Sequence, residues 1–530
     1  MGYRIIQPDE TAVCRQYGVS ALAGKMLAAS GLPQERIEEL LRGESDLRTS
    51  TAPCVKAACT RILAARDHHE KVFVGGDYDA DGICSTAMMK DVLDRLGIAN
   101  GYYIPDRFRE GYGLKPETVR LAHEKGYSLI ITVDNGVKAH EAIAEAHRLG
   151  MDILVTDHHR IEEPVDTEIL VHPDVMEEEY EYLCGAGVVL QIARTLVGDC
   201  AFHTALAAVA HIGDVMPLWK QTRVIVKRGM ELLNQGAVKA LDAMNARREV
   251  YDREMLGFRI VPMLNAIGRM NDVSNVNTLV PFLLSRDEVQ LASYAAQLSR
   301  VNEMRKQLSA QMVKDAEKMI GDDPFPVIAS SSFHEGICGL AAGRLARMYS
   351  RPVLILAETA EGMKGSGRSV PGLDLYGFFR EGFPELIAFG GHSMAVGLTV
   401  DRNSYESFRE KVRLRYAESG FTPAEETRDY ILIDKHIALK DVMDLSVLEP
   451  LPEELSRYAF AMQEPAVISR SDLPKASKFL LENGSDTVDA VVFGYRQLQI
   501  PEEVHLIGGT LRINVFRGKR SIQLDADLIE

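Results

Sequence analysis

Between Lys71 and Val171 the chain repeats one rhythm: a short apolar run, an amphipathic stretch, then another apolar run. "KVFV" leads to "GICSTAMMKDVLDRLG", "YYI" to "KPETVRLAHEKG" and "SLIITV" to "KAHEAIAEAHRLG", and "DILV" and "EILV" close the series. The amphipathic stretches carry apolar residues at three-to-four spacing, as at Met88, Val92 and Leu96. They end on Gly97, Gly126 and Gly150, glycine being the residue favoured just past a helix. This is the rhythm of a βαβ parallel sheet, so it predicts an α/β fold.

In such a sheet, ligands gather beyond the carboxyl ends of the strands, where strand order reverses. The predicted strands release Asp77, Asp79 and Asp81; then Asp134; then Asp157, His158 and His159; then His172 and Asp174. One acidic turn would mean little, because Asp is a common turn residue and helix N-cap. Four apolar runs that each release Asp or His at the same end predict one acidic rim. Asp214, in "AAVAHIGDVMPL", is a fifth candidate where an apolar helical stretch stops before Pro217. Carboxylates with a few imidazoles and no thiolate suit Mn²⁺ or Mg²⁺, and the imidazole tilts the choice toward Mn²⁺. Two such ions can clamp a phosphoryl group during in-line displacement. The competing expectation is that Asp77 caps the following helix while Asp79 and Asp81 face water.

Composition narrows the function classes. A formal charge of −16 argues against a protein that coats nucleic acid regardless of sequence, so any polyanion must be held by local basic patches. Seven scattered cysteines without a CxxC pair indicate neither a disulfide framework nor a zinc site. No run approaches the roughly 18 apolar residues of a membrane helix, and the first residues lack a basic and then apolar leader, so a cytoplasmic protein is expected.

"GDYDADG", "TVDNG", "TDHH" and the "GDV" aspartate, in this order, resemble the motifs of the DHH phosphoesterase superfamily. "YYIPDRFREGYGL", "LCGAGVVLQIA", "MLNAIGRM", "HEGICGLAAGRLARMYSRPVLILAE", "KGSGRS" and "FGGHSMAVGL" extend the likeness to its RecJ exonuclease family, from about Lys71 to Asp401. The resemblance implies a parallel-sheet DHH catalytic domain, a long connecting helix, an α/β DHH-associated domain and a C-terminal OB-fold-like β-barrel. The expected bounds are 1–60 for an N-terminal helical segment, 61–284, 285–321, 322–420 and 427–530. It implies that Asp77, Asp79, Asp81, Asp134, His158 and Asp214 hold two Mn²⁺ ions, with Mg²⁺ as the alternative. His159 would touch the scissile phosphate or pass a proton, and Asp157 would orient the pair. Ser366, Arg368, His392 and Arg269, with Arg107 or Arg109, would hold substrate and its terminal 5′-phosphate, for which the arginine fork is suited.

The implied activity is metal-dependent 5′-to-3′ exonuclease hydrolysis of single-stranded DNA, in DNA repair and recombination. A single-strand-binding protein and a helicase are candidate partners; no membrane partner is expected, and the chain is expected to be a monomer. Of the aromatic residues Tyr102, Tyr103, Phe108 and Tyr112, the last two are the better candidates for stacking bases, because the first two fall in a predicted strand. From about Thr427 the chain turns to alternating strands, and "GGTLRINVFRGKRSIQLDADLI" reads as a hairpin about a glycine turn. Here it departs from the family: "LEPLPEELSRYAFAMQEP" lacks the usual Gly and Asn-Pro, which keeps a phosphodiesterase for short oligonucleotides or cyclic dinucleotides as the alternative function. A non-catalytic nucleic-acid scaffold is the third. His211, where a small polar residue is usual, is expected to be packed.

Overall fold

The computed structural model describes residues 2–42, 47–106, 110–111, 113–423, 427–433, 436–473, 476–484, 486–493, 501–516 and 518–530. The chain divides into two units, one of residues 47–216 and 225–424, the other of residues 1–46, 217–224 and 425–530.

The first unit contains the expected parallel sheet. Its order is Asn100–Tyr103, Val72–Gly75, Leu129–Val133, Asp152–Thr156, Ile169–Val171, with every neighbouring pair parallel. Strands buried on both faces need near-continuous apolar runs, and "VFVG" and "LIITV" are buried throughout. Helices Pro116–Glu124 and His140–Arg148 cover one face, where Phe73, Ile130, Ile153 and Val155 form a core with Val119, Ala122, Ile143 and Ala146. Helices Ala80–Arg95, Gly185–Val197 and Ala201–Gly213 pack on one another and are buried over most of their length.

The connecting helix expected over 285–321 is Glu288–Glu317, with Asp287 as its N-cap accepting from the amides of Val289 and Gln290. Its far end enters a second core with helix Cys338–Tyr349. That helix lies on a mixed sheet ordered Leu386–His392, Ala395–Val400, Gly362–Arg368, Val353–Thr359, Val327–Ser330, parallel only between the last two. Opposite it, Phe325, Phe378, Phe379, Phe383 and Phe408 form an aromatic core.

The second unit corrects the expectation of a separate helical segment over 1–60. Gly2–Ile6 is a strand, lying parallel to Thr427–Leu432 from Gly2 opposite Thr427 to Ile6 opposite Ile431. Arg4 fastens the pairing with two 2.7 Å bonds to Asp429. Buried Arg223 donates to the carbonyls of Leu40, Leu448, Glu449 and Pro450, which ties the early helices to the late chain. Five residues reading "GYRII" are too few to declare a strand by periodicity, because their partner is set by the distant chain. The C-terminal strands form one eight-stranded mixed sheet with that N-terminal strand at its edge, and the hairpin Leu506–Phe516 to Lys519–Ile529 runs through it with Leu511 opposite Leu524. No helix among the described residues is long and apolar enough to cross a membrane.

Candidate metal centre

The first strand of the parallel sheet, Val72–Gly75, has the second strand on one side and the third on the other, so strand order reverses between it and Leu129–Val133. The loop after the first strand carries Asp77 and Asp79, and Asp81 follows in the first turn of helix Ala80–Arg95; the loop after the third strand carries Asp134. Buried Asn135 ties the ends of these strands together, donating from Nδ2 to the carbonyls of Gly75 and Val133, both at 3.0 Å. Asp134 takes a left-handed backbone, φ 61°, which Asp tolerates better than most residues.

The helix cap is Asp79, not Asp77. Asp79 Oδ1 accepts from the amides of Asp81 and Gly82 at 3.0 and 3.2 Å and opens helix Ala80–Arg95. Asp81 is 2% exposed and Asp79 is engaged by two backbone amides, so the reading in which Asp79 and Asp81 face water fails. Asp81 sits at a second helix start: its two oxygens accept from the amides of Gly185 and Ala186 at 2.7 Å, and Ser85 donates to Oδ1 at 3.2 Å. A carboxylate is favoured at a helix N-terminus, where it meets unpaired backbone N–H groups. Asp214 is the C-cap of helix Ala201–Gly213.

His158 points among these acids. Its Nε2 is 3.2 Å from Asp134 Oδ1, 3.5 Å from Asp214 Oδ2 and 3.7 Å from Asp81 Oδ2, and it makes no hydrogen bond. Ligand atoms of Asp77, Asp79 and Asp134 lie within 4.8 Å of one another, as do those of Asp81, His158 and Asp214, and those of Asp134, His158 and His159. Asp134 therefore stands between two donor groups, one on either side.

The charges agree with a cation site. Burial, then the charges of Asp81, Asp79, Asp77 and Asp214, push Asp134 far above the ordinary carboxylate range. Burial and the charges of Asp81 and Asp79 push Asp214 up to about 8, and burial and Asp81 push Asp79 up. Burial lowers His158, which keeps a ligand lone pair at neutral pH. Carboxylates with a neutral imidazole and no thiolate form the donor set that fits Mn²⁺ or Mg²⁺.

Asp157 is fully buried beneath the two histidines. Its Oδ2 accepts from the Val137 amide, and its Oδ1 accepts from the amides of His158 and His159 and lies 2.8 Å from His159 Nδ1. Burial opposes a charged His159, yet the Asp157 bond and carboxylates nearby raise it to about 9. His172 Nε2 donates to the His159 carbonyl at 2.9 Å and steadies the loop from the last strand. His211 is packed as expected: it is fully buried, Nδ1 donates to the Ala207 carbonyl at 2.7 Å, and burial lowers it to about 4.

Helix Val261–Arg269 closes the rim. Asn265 Oδ1 accepts from the Ala80 amide at 2.7 Å, and a Cβ at Gly268 would stand 2.5 Å from the Tyr78 carbonyl. Met270, which follows directly, belongs to the core of the second sheet, so Arg269 lies where acidic loop and second sheet meet. Across that sheet, Arg368 pairs with Ala395 and Ala395 with His392, which puts Arg368 and His392 on one face roughly 10 Å apart. Ser366, Gly397 and Gly390 form the next row, and a Cβ on either glycine would meet nothing within 4 Å. A Cβ at Gly339, in the first turn of helix Cys338–Tyr349, would stand 2.7 Å from Arg368 Nη2 and 3.4 Å from Ser366 Oγ. The face is open, glycine-floored and edged by an arginine and a helix N-terminus.

Arg107, Arg109, Phe108 and Tyr112 lie outside the described residues. Tyr102 and Tyr103 are half-buried, their hydroxyls bonded to the Asn277 carbonyl and to Glu110. The sequence does not single out Asn135 or Asn265; a buried amide that ties loops has no periodic signal, although Asn135 stands within "TVDNG".

Residues 71–213 match the DHH family, N-terminal domain, and residues 323–418 match the DHHA1 domain. The chain is 30% identical over 562 residues to the single-stranded-DNA-specific exonuclease RecJ of Dickeya dadantii, with 95% of each chain covered. It is 29% identical over 557 residues to that of Bacillus subtilis, covering 99% of this chain and 70% of the relative. In fold it is similar to RecJ of Thermus thermophilus in complex with Mn²⁺, with a TM-score of 0.85 at 24% identity over 100% of this chain and 79% of the other. A manganese-bound exonuclease RecJ is 27% identical with a TM-score of 0.61, over 72% of this chain and 97% of the other.

Proposed function

Because the chain belongs to the RecJ family of single-stranded-DNA-specific exonucleases, we propose that it hydrolyses single-stranded DNA from a 5′ end at the acidic rim. One observation carries the reading: carboxylates released by separate strands converge with His158 at the point where strand order reverses. Asp77, Asp79 and Asp134 would hold one divalent ion, and Asp81, His158 and Asp214 the other, with Asp134 between them. When bound, such a pair of ions supplies charge neutralisation at the phosphoryl group and a water acidic enough to attack it.

The rest is done by this chain's own groups. Asp157 fixes His159 with Nδ1–H inward, which turns Nε2 toward substrate. The His159 side chain is 38% exposed against 9% for His158, so His159 is the histidine a phosphate can reach. The Asp157 bond favours its charged form, from which it can donate to a non-bridging oxygen or give a proton to the leaving oxygen. Arg269, Ser366, Arg368 and His392 would hold phosphates beyond the scissile bond, and the glycine rows let the strand lie close to backbone. This basic, open face is the local patch that the net charge of −16 demands.

The test is digestion of end-labelled single strands with Mn²⁺ and with Mg²⁺, beside Asp134→Ala. Release of 5′ label before 3′ label, abolished by Asp134→Ala, is expected. Undiminished release by that variant overturns the centre, and 3′ label lost first overturns the phosphate assignment.

A further inference from the structure

A second set of reactive side chains stands at the other end of two helices that shape the metal centre. Helix Ala201–Gly213 runs 13 residues, about 20 Å, from Cys200 at its N-cap to Asp214 at its C-cap. Helix Ala80–Arg95, which starts at Asp79, carries Asp91 and Arg95 in its last turns.

His203, its side chain 0% exposed, has Nε2 2.7 Å from Asp91 Oδ2. An ionised carboxylate only accepts, so Nε2 carries a proton; against burial, the Asp91 bond and the neighbouring Cys200 raise His203 above its ordinary value, which suits it to take a second proton at Nδ1. That buried Nδ1 has no hydrogen-bond partner. The Cys200 sulfur, a His203 ring nitrogen and an Asp91 oxygen all lie within 4.8 Å of one another. Arg95 faces both ends of the set, donating from Nη2 to Cys200 Sγ at 3.4 Å and from Nε to Asp91 Oδ2 at 2.6 Å. Asp199, next to Cys200 in sequence, pairs with Arg194.

A carboxylate that orients an imidazole beside a thiol, with a guanidinium and a helix N-terminus facing the sulfur, is the setting in which a cysteine becomes a nucleophile. The other six cysteines lack it, and burial raises each of them. Cys200 alone is drawn down, to about 7, because the His203 imidazole and the charge of Arg95 outweigh burial. It is only partly buried, so a small reagent can reach it. The same three side chains could suggest a metal site, but the Arg95 charge against the sulfur repels a cation.

We propose that Cys200 is a reactive thiol that exchanges with small disulfides, with His203 as its base and Asp91 orienting that base. The Cys200 thiol gives its proton to His203 Nδ1, and the thiolate attacks one sulfur of the disulfide. A new S–S bond to Cys200 forms as the old one breaks, and the departing thiolate takes the proton back from His203. Cys200 is oxidised to a mixed disulfide, and half of the reagent is reduced to a thiol.

The test incubates the full chain, with Mn²⁺ present, with hydroxyethyl disulfide at about pH 7, and maps the adduct by peptide mass spectrometry. Cys200 is expected to react at least about tenfold faster than Cys14 or Cys54, the other partly exposed thiols. His203→Gln is expected to slow Cys200 about tenfold at neutral pH and to catch up near about pH 9.5, where an ordinary thiol ionises unaided. Arg95→Gln, expected to slow the reaction in the same direction, gives the comparison should His203→Gln not fold. Equal rates at Cys14, Cys54 and Cys200, an unchanged rate in the variants, or one equivalent of Zn²⁺ held by the chain and lost in Cys200→Ser would each overturn the proposal.

Discussion

His159 Nδ1 lies 2.8 Å from Asp157 Oδ1, and this bond favours one tautomer and the charged form of His159, the more exposed histidine of the His158–His159 pair. Asp157→Asn keeps the shape but removes the charge. Catalytic turnover should fall roughly 10²-fold or more, with the bound metal content unchanged. In chelated protein, His159 should titrate at about 9 by NMR, and Asp157→Asn should bring it down. Its pKa is raised on folding above the ordinary value of about 6.5. The stability it contributes is therefore complete below that value and lost as pH rises through about 9.

Removing the ions should expose the repulsion among the acids. Asp214 is raised to about 8 in the folded chain, above the unfolded carboxylate range, so chelated protein should lose stability as pH climbs toward 8. Asp214→Asn should raise the melting temperature of chelated protein and flatten that pH dependence. The same variant should gain less from Mn²⁺ than the parent, for which saturation at a hundredfold excess over Kd adds about 2.7 kcal/mol. Calorimetric scans with chelator and with Mn²⁺ check the reversal of sign.

Gly185→Ala should weaken the centre by displacing Asp134 while leaving every ligand side chain in the sequence. Its Cβ would stand 2.6 Å from Asp134 Cβ and 2.9 Å from Asp134 Cα, which cannot yield without shifting the loop. Mn²⁺ affinity by isothermal titration should fall about 10–100-fold, with little change in circular dichroism.

Gly397→Val makes the opposite case. The added side chain meets nothing within 4 Å, and a β-branched residue suits a strand, so thermal stability should hold. It would fill the open row between Ser366 and Gly390. Binding of a 5′-phosphorylated single strand by anisotropy should weaken about tenfold, or roughly 1.4 kcal/mol, with Mn²⁺ affinity intact.

Asn135→Ala removes the amide that bridges the Gly75 and Val133 carbonyls. Leaving buried acceptors unsatisfied costs about 1–3 kcal/mol each, and urea unfolding should register a loss of that order. Activity should fall with it, because the bridge holds the two acidic loops in register.

What could be read from the sequence was what repeats or terminates. Strands such as "LIITV" and the long helix Glu288–Glu317 declare themselves by period, and the acids stand at predictable strand ends. The division of labour among those acids did not show: Asp79 is the cap and Asp81 the anchor for the helix at Gly185, choices made by backbone amides from elsewhere in the chain. Asn265 and the strand Gly2–Ile6 were hidden for the same reason, since each is defined by a partner far away in sequence. The row joining Arg368 to His392 depends on register through an intervening strand, which alternation does not fix.

The parallel pairing of Gly2–Ile6 with Thr427–Leu432 also has a history in time. Arg4 leaves the ribosome first, yet Asp429 follows 425 residues later, on the order of half a minute at ordinary rates of synthesis. Throughout that interval the opening segment has no strand to lie against, while the sheet bearing Asp77 and Asp134 can already assemble. Birth order thus favours a nascent chain whose acidic rim is formed before Gly2–Ile6 and Thr427–Leu432 have met.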